Sequence, residues 1–374
     1  MDINYIADIR LPTERAHGYA MMKMCEELSS LGVNVKLVVP DRKNNLATDP
    51  FFYYGIKKNF HLIRLSASDF LGKTLLFGRL FYWLDLFSFT VSLLLHLDIV
   101  RCKNIYSRNY LLLIPFWWLG SNLYIELHDM PNRNFMFLAI LRRCKKVFVL
   151  TKILKDDIEL LGIDASKIEV LPDAVDLQKV ANEIDVMEAR KMAQLPIDKK
   201  IVLYWGQFYK WKGVDTMAQA AQYLDDGFCL VFVGGADLEL ESFKKVYGKD
   251  SKIKIVPFQK RELISAYMNA ADILVLPNSQ HSRISSSYTS PLKLFEYMAS
   301  KRPIVASDLP SLREILNEEN SVLVEPDNPK ALAEGIKRVS LDHNLSMNVA
   351  ARAFEDVKNY TWTKRAKKVL STIA

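Results

Sequence analysis

Short runs of apolar, often β-branched residues alternate along this chain with stretches whose apolar positions recur every three or four residues. In the first half the runs predict strands near 3–8, 33–39, 61–65, 104–107, 122–127, 146–150 and 168–171. After the first of them, Ala20, Met24, Leu28 and Leu31 share one helical face and Gly32 follows, so a helix is expected over 18–31. A second series opens at Ile201–Trp205 and continues at Leu230–Val233, Ile253–Val256, Ile273–Leu276, Ile304–Ala306 and Ser321–Val324. Strands that alternate with helices build parallel sheets from βαβ units. Two such series predict an α/β protein with two Rossmann-like domains, 1–190 and 191–355. The polar, charged interval 177–199, with Pro196 before the new strand, reads as the joint. Doubly wound sheets bind ligands beyond the carboxyl ends of their strands, and two of them face to face make a cleft.

Composition narrows the class. The chain has 374 residues, half of them hydrophobic and a quarter charged, which is globular and long enough for two domains. The net charge of +7 favours anionic partners, yet the basic residues are dispersed and nothing resembles a nucleic-acid module. Cys25, Cys102, Cys144 and Cys229 are far apart and form no CxxC or zinc spacing, so reduced thiols and a cytoplasmic setting are expected. The chain runs straight into its first strand with no cationic leader. Leu86–Leu97 is uncharged but only 12 residues long, and Asn109–Ile125 contains Pro115, Gly120, Ser121 and Asn122. Neither is a clean membrane span of about 20 residues.

The most informative segment is 285–307, SSSYTSPLKLFEYMASKRPIVAS. Pro291 suits the first residue of a helix, with Ser290 as its N-cap. Leu292, Leu294, Phe295 and Met298 supply an apolar face, and 304–306 resumes as a strand. The amides of Leu292 and Lys293 then lie at the positive end of the helix dipole, which suits a diphosphate. Glu296 lies one turn deeper on the face of Leu292, where a carboxylate can accept both hydroxyls of a ribose. The same pattern also describes an ordinary packing helix.

Three other loops carry chemistry. Gly206-Gln207-Phe-Tyr-Lys-Trp-Lys212-Gly213 follows a strand and precedes a helix, a setting for phosphate oxygens as well as for a solvated lysine. Glu126-Leu-His128-Asp129 ends a strand; a polar turn explains it equally. Leu11 to Gly18, including His17, links the first strand to its helix, and Gly18 lets backbone come close to a phosphate or acceptor. It is not a GxGxxG. No Asp-x-Asp occurs, so no metal ion is required.

Ser290-Pro-Leu-Lys-Leu-Phe-Glu-Tyr-Met-Ala299, then Pro-Ile-Val-Ala-Ser307, resembles the donor-nucleotide motif of retaining glycosyltransferases of the GT-B fold, family four. Ile105-Tyr-Ser-Arg-Asn109, Glu126-Leu-His-Asp129 and the Tyr360-x-Trp…Arg365-Ala ending extend the likeness over nearly the whole chain. The resemblance implies that Glu296 holds the donor ribose and the amides before it hold the diphosphate. It assigns Gly206, Gln207, Lys212, Gly213, Phe258, Ser290, Pro291, Leu292, Lys293 and Glu296 to the donor. It assigns His17, Gly18 and Asp129 to the acceptor, and makes His128, Lys212 and Glu296 the catalytic set. It also implies that a C-terminal helix, about 356–374, crosses back to an acceptor-binding first domain. Two departures stand out. Gln207 replaces the family's Arg, and Tyr288 occupies the place of the first of two glutamates eight apart. No nucleophile is therefore assigned, and front-face transfer is expected, with the donor phosphate helping to deprotonate the acceptor.

The implied activity is retaining, metal-independent transfer of a sugar from a nucleotide-diphosphate sugar, as substrate and not cofactor, to a saccharide or lipid-linked acceptor in bacterial surface-polysaccharide or glycolipid assembly. The alternatives are a nucleotide-sugar epimerase of the same fold and a non-catalytic nucleotide-sugar binding protein. Residues 70–95 are rich in Phe, Leu and Trp around Lys73 and Arg79. They read as core helix or as a peripheral contact with the inner membrane face.

Overall fold

The computed structural model describes residues 1–70, 78–131, 133–180 and 184–373. The chain divides into two compact units. Met1–Pro172, joined by the segment from Trp362 onward, form the first, and Asp173–Thr361 form the second. In the first unit the strands are β1 (Asp2–Ile6), β2 (Asn34–Asp41), β3 (His61–Ser66), β4 (Asn104–Ser107), β5 (Asn122–Leu127), β6 (Lys146–Val149) and β7 (Ile168–Val170). They make one parallel sheet in the order β3-β2-β1-β4-β5-β6-β7. In the second unit, β8 (Lys200–Gly206), β9 (Phe228–Gly234), β10 (Ile253–Val256), β11 (Ile273–Leu276), β12 (Ile304–Ser307) and β13 (Val322–Val324) are parallel in the order β10-β9-β8-β11-β12-β13.

The strands read as unbroken apolar runs because helices cover both faces of each sheet. Val147, Phe148 and Val149 are fully buried, as are Leu230 to Val233. Right-handed crossovers place helices Gly78–Leu95, Ile114–Trp118 and Phe135–Arg143 on one face of the first sheet. Helices Ala16–Ser30 and Trp362–Ile373 pack together on the other. Each sheet reverses its winding once, between β1 and β4 in the first unit and between β8 and β11 in the second. Those two switch points are where such sheets open at their carboxyl ends to receive ligands.

Two boundaries differ from the sequence expectation. The first unit ends at Pro172 and not near 190. The interval read as a joint is part of the second unit: Ala189 is fully buried, and Arg190 pairs with Asp272 at 2.7 Å and donates to the Ala270 carbonyl. Its polarity belongs to the outer face of helix Val186–Met192. The single helix expected over 356–374 is two elements. Helix His343–Val357 packs in the second unit, and helix Trp362–Ile373 belongs to the first, where Trp362 is buried. Between them, Tyr360 accepts a hydrogen bond from the Val175 amide at 2.9 Å, and this pairing breaks the helix.

Candidate functional site

In the second unit the switch point is built from the loop after β8 and the segment after β11. Gly213 locks them together. It has φ +70°, and a Cβ there would lie 1.7 Å from the Pro277 carbonyl oxygen, so only glycine admits this approach. The Ser279 amide also donates to the Trp211 carbonyl at 3.1 Å. Lys212 is thereby held close enough to helix Leu292–Ala299 for its charge to act on Lys293 in the first turn. Pro291 caps this helix with extended backbone (ψ 135°), and the Leu294 amide reaches the Pro291 carbonyl at 2.9 Å. The expected Ser290 cap and Pro291 first residue are therefore corrected by one position. Ser290 Oγ instead accepts from the Asp173 amide at 3.3 Å. The amides of Leu292 and Lys293 remain in the first turn, which an α-helix leaves without internal acceptors. Every residue from Leu292 to Ala299 is buried, Glu296 included, so this is an element embedded in the unit and not a surface helix.

The charges at this point are unusual. Lys293 is 7% exposed, and its Nζ has no hydrogen-bond partner; it sits 3.7 Å above the Tyr204 ring. Tyr204 is itself fixed by its hydroxyl donating to the Gln207 carbonyl at 2.7 Å. Lys212 Nζ lies 3.8 Å over the Trp211 ring. Part of the Lys212 side chain remains exposed, but protein atoms crowd its ammonium, and that burial lowers its pKa to about 7. Burial, and then repulsion from Lys212, holds Lys293 well below the ordinary lysine range. Two desolvated amines next to a helix N-terminus make a pocket of unmet demand for an anion. Asn278, fully buried after β11, adds an Oδ1 with no hydrogen-bond partner. Phe258 is half-buried after β10, two strands from β8, and Gly206 ends β8 itself.

In the first unit a different cluster forms at the carboxyl edge. Glu126, on β5, is completely buried, and one oxygen meets Arg108 at 2.6 Å, His128 Nε2 at 2.6 Å and Arg365 at 3.1 Å. Tyr106 donates to its other oxygen at 2.5 Å. Burial alone would raise this carboxyl, but Arg108, Arg365 and His128 outweigh it and hold Glu126 well below the usual carboxylate range. His128 is thus oriented by a carboxylate and leaves a third of its side chain exposed. His17 lies within the field of Arg108 and His128, and burial, then these charges, lower its pKa to about 4. Among the predicted residues the structure brings His17 and His128 into one electrostatic group, while Asp129 is simply exposed beside it. Gly18 has a different reason from the one expected. It lies inside helix Ala16–Ser30, and the close approach it permits is to the Tyr54 hydroxyl, 2.2 Å from where a Cβ would stand. That hydroxyl ties down the Thr13 backbone through both its amide and its carbonyl.

Sequence reading passed over Arg108, Glu126 and Arg365 as site residues. Glu126, between Ile125 and Leu127 in a buried strand, carried a signal, since a buried carboxylate demands a cation nearby. Arg365, 239 positions away on the last helix, carried none. Among the described residues no group of three His, Cys, Asp or Glu could hold a metal ion. A surface concavity of about 610 Å³ lies elsewhere, beside β2 and β3 between Arg42, Thr48 and Arg64. Its arginines are engaged with Asp8, Asp41 and backbone carbonyls, so it lacks the unmet charge that marks the lysine pair.

Comparison with known proteins agrees with this architecture. The Glycosyltransferase Family 4 model matches residues 18–179, and the Glycosyl transferases group 1 model matches residues 199–342. A D-inositol 3-phosphate glycosyltransferase of Xylanimonas cellulosilytica is 28% identical over 232 residues, 59% of this chain and 54% of that protein. The putative teichuronic acid biosynthesis glycosyltransferase TuaC of Bacillus subtilis is 28% identical over 201 residues, 54% of this chain and 48% of that protein. The matched region thus spans about half the length of these curated relatives. Among solved structures, HepE of Anabaena in complex with UDP and glucose superposes with a TM-score of 0.76 at 14% identity, covering 99% of this chain and 98% of that one. Sucrose-phosphate synthase of Thermosynechococcus elongatus does so with a TM-score of 0.75 at 19% identity, covering 100% and 98%. With one family model over each sheet and the GT-B fold throughout, the chain belongs to the group 1, family 4 glycosyltransferases.

Proposed function

We propose that this chain transfers a sugar, with retention, from a nucleotide-diphosphate sugar to a saccharide or lipid-linked acceptor in surface-polysaccharide or glycolipid assembly, in the cytoplasm and without a metal ion. The observation that carries the reading is the pair of desolvated lysines, Lys212 and Lys293, at the first turn of helix Leu292–Ala299 over the β8/β11 switch. A donor diphosphate supplies the negative charge they lack. Glu296, one turn deeper, takes the ribose hydroxyls, and the segments at Gly206–Gly213 and Ser290–Lys293 enclose the phosphates. The related HepE structures hold UDP, UDP with glucose, and UDP-glucose, which supports a nucleotide sugar as donor here.

In the transfer step the bond between the anomeric carbon and the diphosphate breaks, and its electron pair leaves with the diphosphate. The acceptor hydroxyl adds to the same face and gives its proton to a departing phosphate oxygen. Lys212, Lys293 and the helix amides stabilise the charge that grows there, which is the service usually asked of a metal ion. Gln207 adds no charge, so the Lys293 side chain takes up the part the resemblance gives to an arginine. His128, oriented by Glu126, contacts the sugar.

The test is transfer assayed with UDP-, GDP-, ADP- and TDP-sugars, with and without acceptor and in EDTA. Product that needs acceptor, retains the anomeric configuration and survives EDTA is expected. Isomerised donor without acceptor would make the chain an epimerase. Activity restored only by added Mn²⁺ would contradict metal independence.

A further inference from the structure

Helix Gly78–Leu95 is the one described helix long and apolar enough, by composition, to cross a bilayer, yet only 22% of it is buried. Its inner side is settled. Leu86, Phe89 and Leu93 are buried, and Asp85 is fully buried with its carboxylate accepting from the Phe70 amide and the Ser68 hydroxyl. Ser88 Oγ accepts from the Ser68 amide at 2.7 Å. A helix fastened in this way along one side cannot span a membrane. Its outer side is apolar too. Leu80, Trp83, Phe87, Val91 and Leu94 follow one another at spacings of three and four, and Trp83 is 53% and Phe87 69% exposed. Core packing, one of the two readings of this stretch, accounts for the inner side alone. Lys73 lies outside the described residues.

The stripe continues beyond the helix. Tyr82 lies near Asn109 and Tyr110, and Asn134 donates to the Tyr110 hydroxyl at 3.1 Å. Asn134 caps helix Phe135–Arg143, whose Phe135 is 81% exposed with Met136 beside it. Trp118 and Leu119, exposed at the end of the intervening short helix, lie on the same face of the sheet. Every exposed Phe and Trp among the described residues (Phe52, Phe70, Trp83, Phe87, Trp118 and Phe135) belongs to the first unit. The charges on this face are mostly positive. Arg79 and Arg133 are exposed beside the apolar stripe, Asp85 points inward, and Asp98 at the far end is followed by exposed Arg101 and Lys103.

We propose that this face of the first unit docks on an anionic phospholipid bilayer, with helix Gly78–Leu95 lying in the interface plane. Aromatic and aliphatic side chains on a helix fixed to a rigid sheet enter the headgroup boundary, and flanking arginines meet anionic headgroups. Charge decides between a membrane and a second copy of the chain. A net charge of +7 opposes self-association and is attracted by an anionic surface. The inference goes beyond the transferase reading and does not depend on it.

The test is co-sedimentation of the full chain with phosphatidylcholine vesicles, with and without phosphatidylglycerol, alongside sedimentation velocity without lipid. Wild type should pellet with the anionic vesicles, less so at high salt and less with phosphatidylcholine alone. Trp83→Ser/Phe87→Ser should lower the partition by about tenfold or more, because two large apolar groups are withdrawn. Arg79→Glu should lower it for anionic vesicles only. Both variants change exposed side chains and should keep the wild-type melting temperature. Equal pelleting of wild type and the double variant, or no pelleting at all, overturns the proposal. So does a concentration-dependent dimer abolished by the double substitution, which would give the face to a second copy.

Discussion

An amine as enclosed as Lys293, with the Tyr204 ring beneath it and no hydrogen-bond partner, gives up charge until an anion arrives. Lys212 shares that condition, with a pKa near 7. A bound diphosphate raises both, so binding above about pH 7 must take up protons. Affinity for a nucleoside diphosphate should therefore fall as pH rises from about 7, by up to roughly tenfold per unit for each lysine that must be charged. Calorimetry in buffers of different ionisation enthalpy reads the proton uptake directly, and a pH-independent affinity with no uptake would remove the lysines from the site. Glu296→Ala should weaken the same binding by about 1.5–3 kcal/mol, the range for a hydrogen bond to a charged group. The Glu126 cluster has the opposite sign. Its pKa lies below the unfolded value, so its stabilisation is present above the ordinary carboxylate range and is lost as pH falls through the folded pKa. Glu126→Ala leaves buried Arg365 and partly buried Arg108 without their shared carboxylate and should cost about 3–5 kcal/mol in denaturant unfolding. A loss below about 1 kcal/mol would mean that the arginines find water or other acceptors.

At the scale of elements, strands were legible because each is a short apolar run bounded by turn residues. Predicted positions such as 104–107, 253–256 and 273–276 coincide with β4, β10 and β11. Helix Leu292–Ala299 was legible as a motif, but not to the residue at its start. Pro291 fits the cap as well as the first turn, and the Asp173 amide that claims Ser290 lies 117 positions away. The same limit hid Arg365 from the Glu126 cluster, and it hid Tyr54 as the reason for Gly18. Helix Gly78–Leu95 defeated periodicity for another reason: both of its faces are apolar, and burial of one says nothing of the other. Gly213 ties its loop to the strand-end segment after β11, so Gly213→Ala should be felt in both. The positive φ costs about 1–3 kcal/mol, and the Cβ must push the Pro277 carbonyl away. A melting temperature and nucleotide affinity both equal to wild type would show that this contact is slack.

For the whole molecule, the family, the GT-B fold and the two switch points stand together, and we propose that the second unit receives a donor diphosphate on the Lys212–Lys293 pair. Lys293→Met separates diphosphate binding from simple packing, because the two roles predict different combinations of effects. Methionine keeps the volume and removes the desolvated amine, so the ligand-free protein should melt higher. The same substitution removes a cation from the diphosphate, so affinity should drop by about tenfold or more. The decisive measurement is calorimetric titration of UDP, GDP, ADP and TDP into wild type and Lys293→Met, with the melting temperature of each ligand-free protein recorded beside it. At least one nucleotide should bind wild type at a single site, and the variant should bind it more weakly while melting at a higher temperature. No binding by any of the four, or equal affinity in a variant that melts higher, would contradict it.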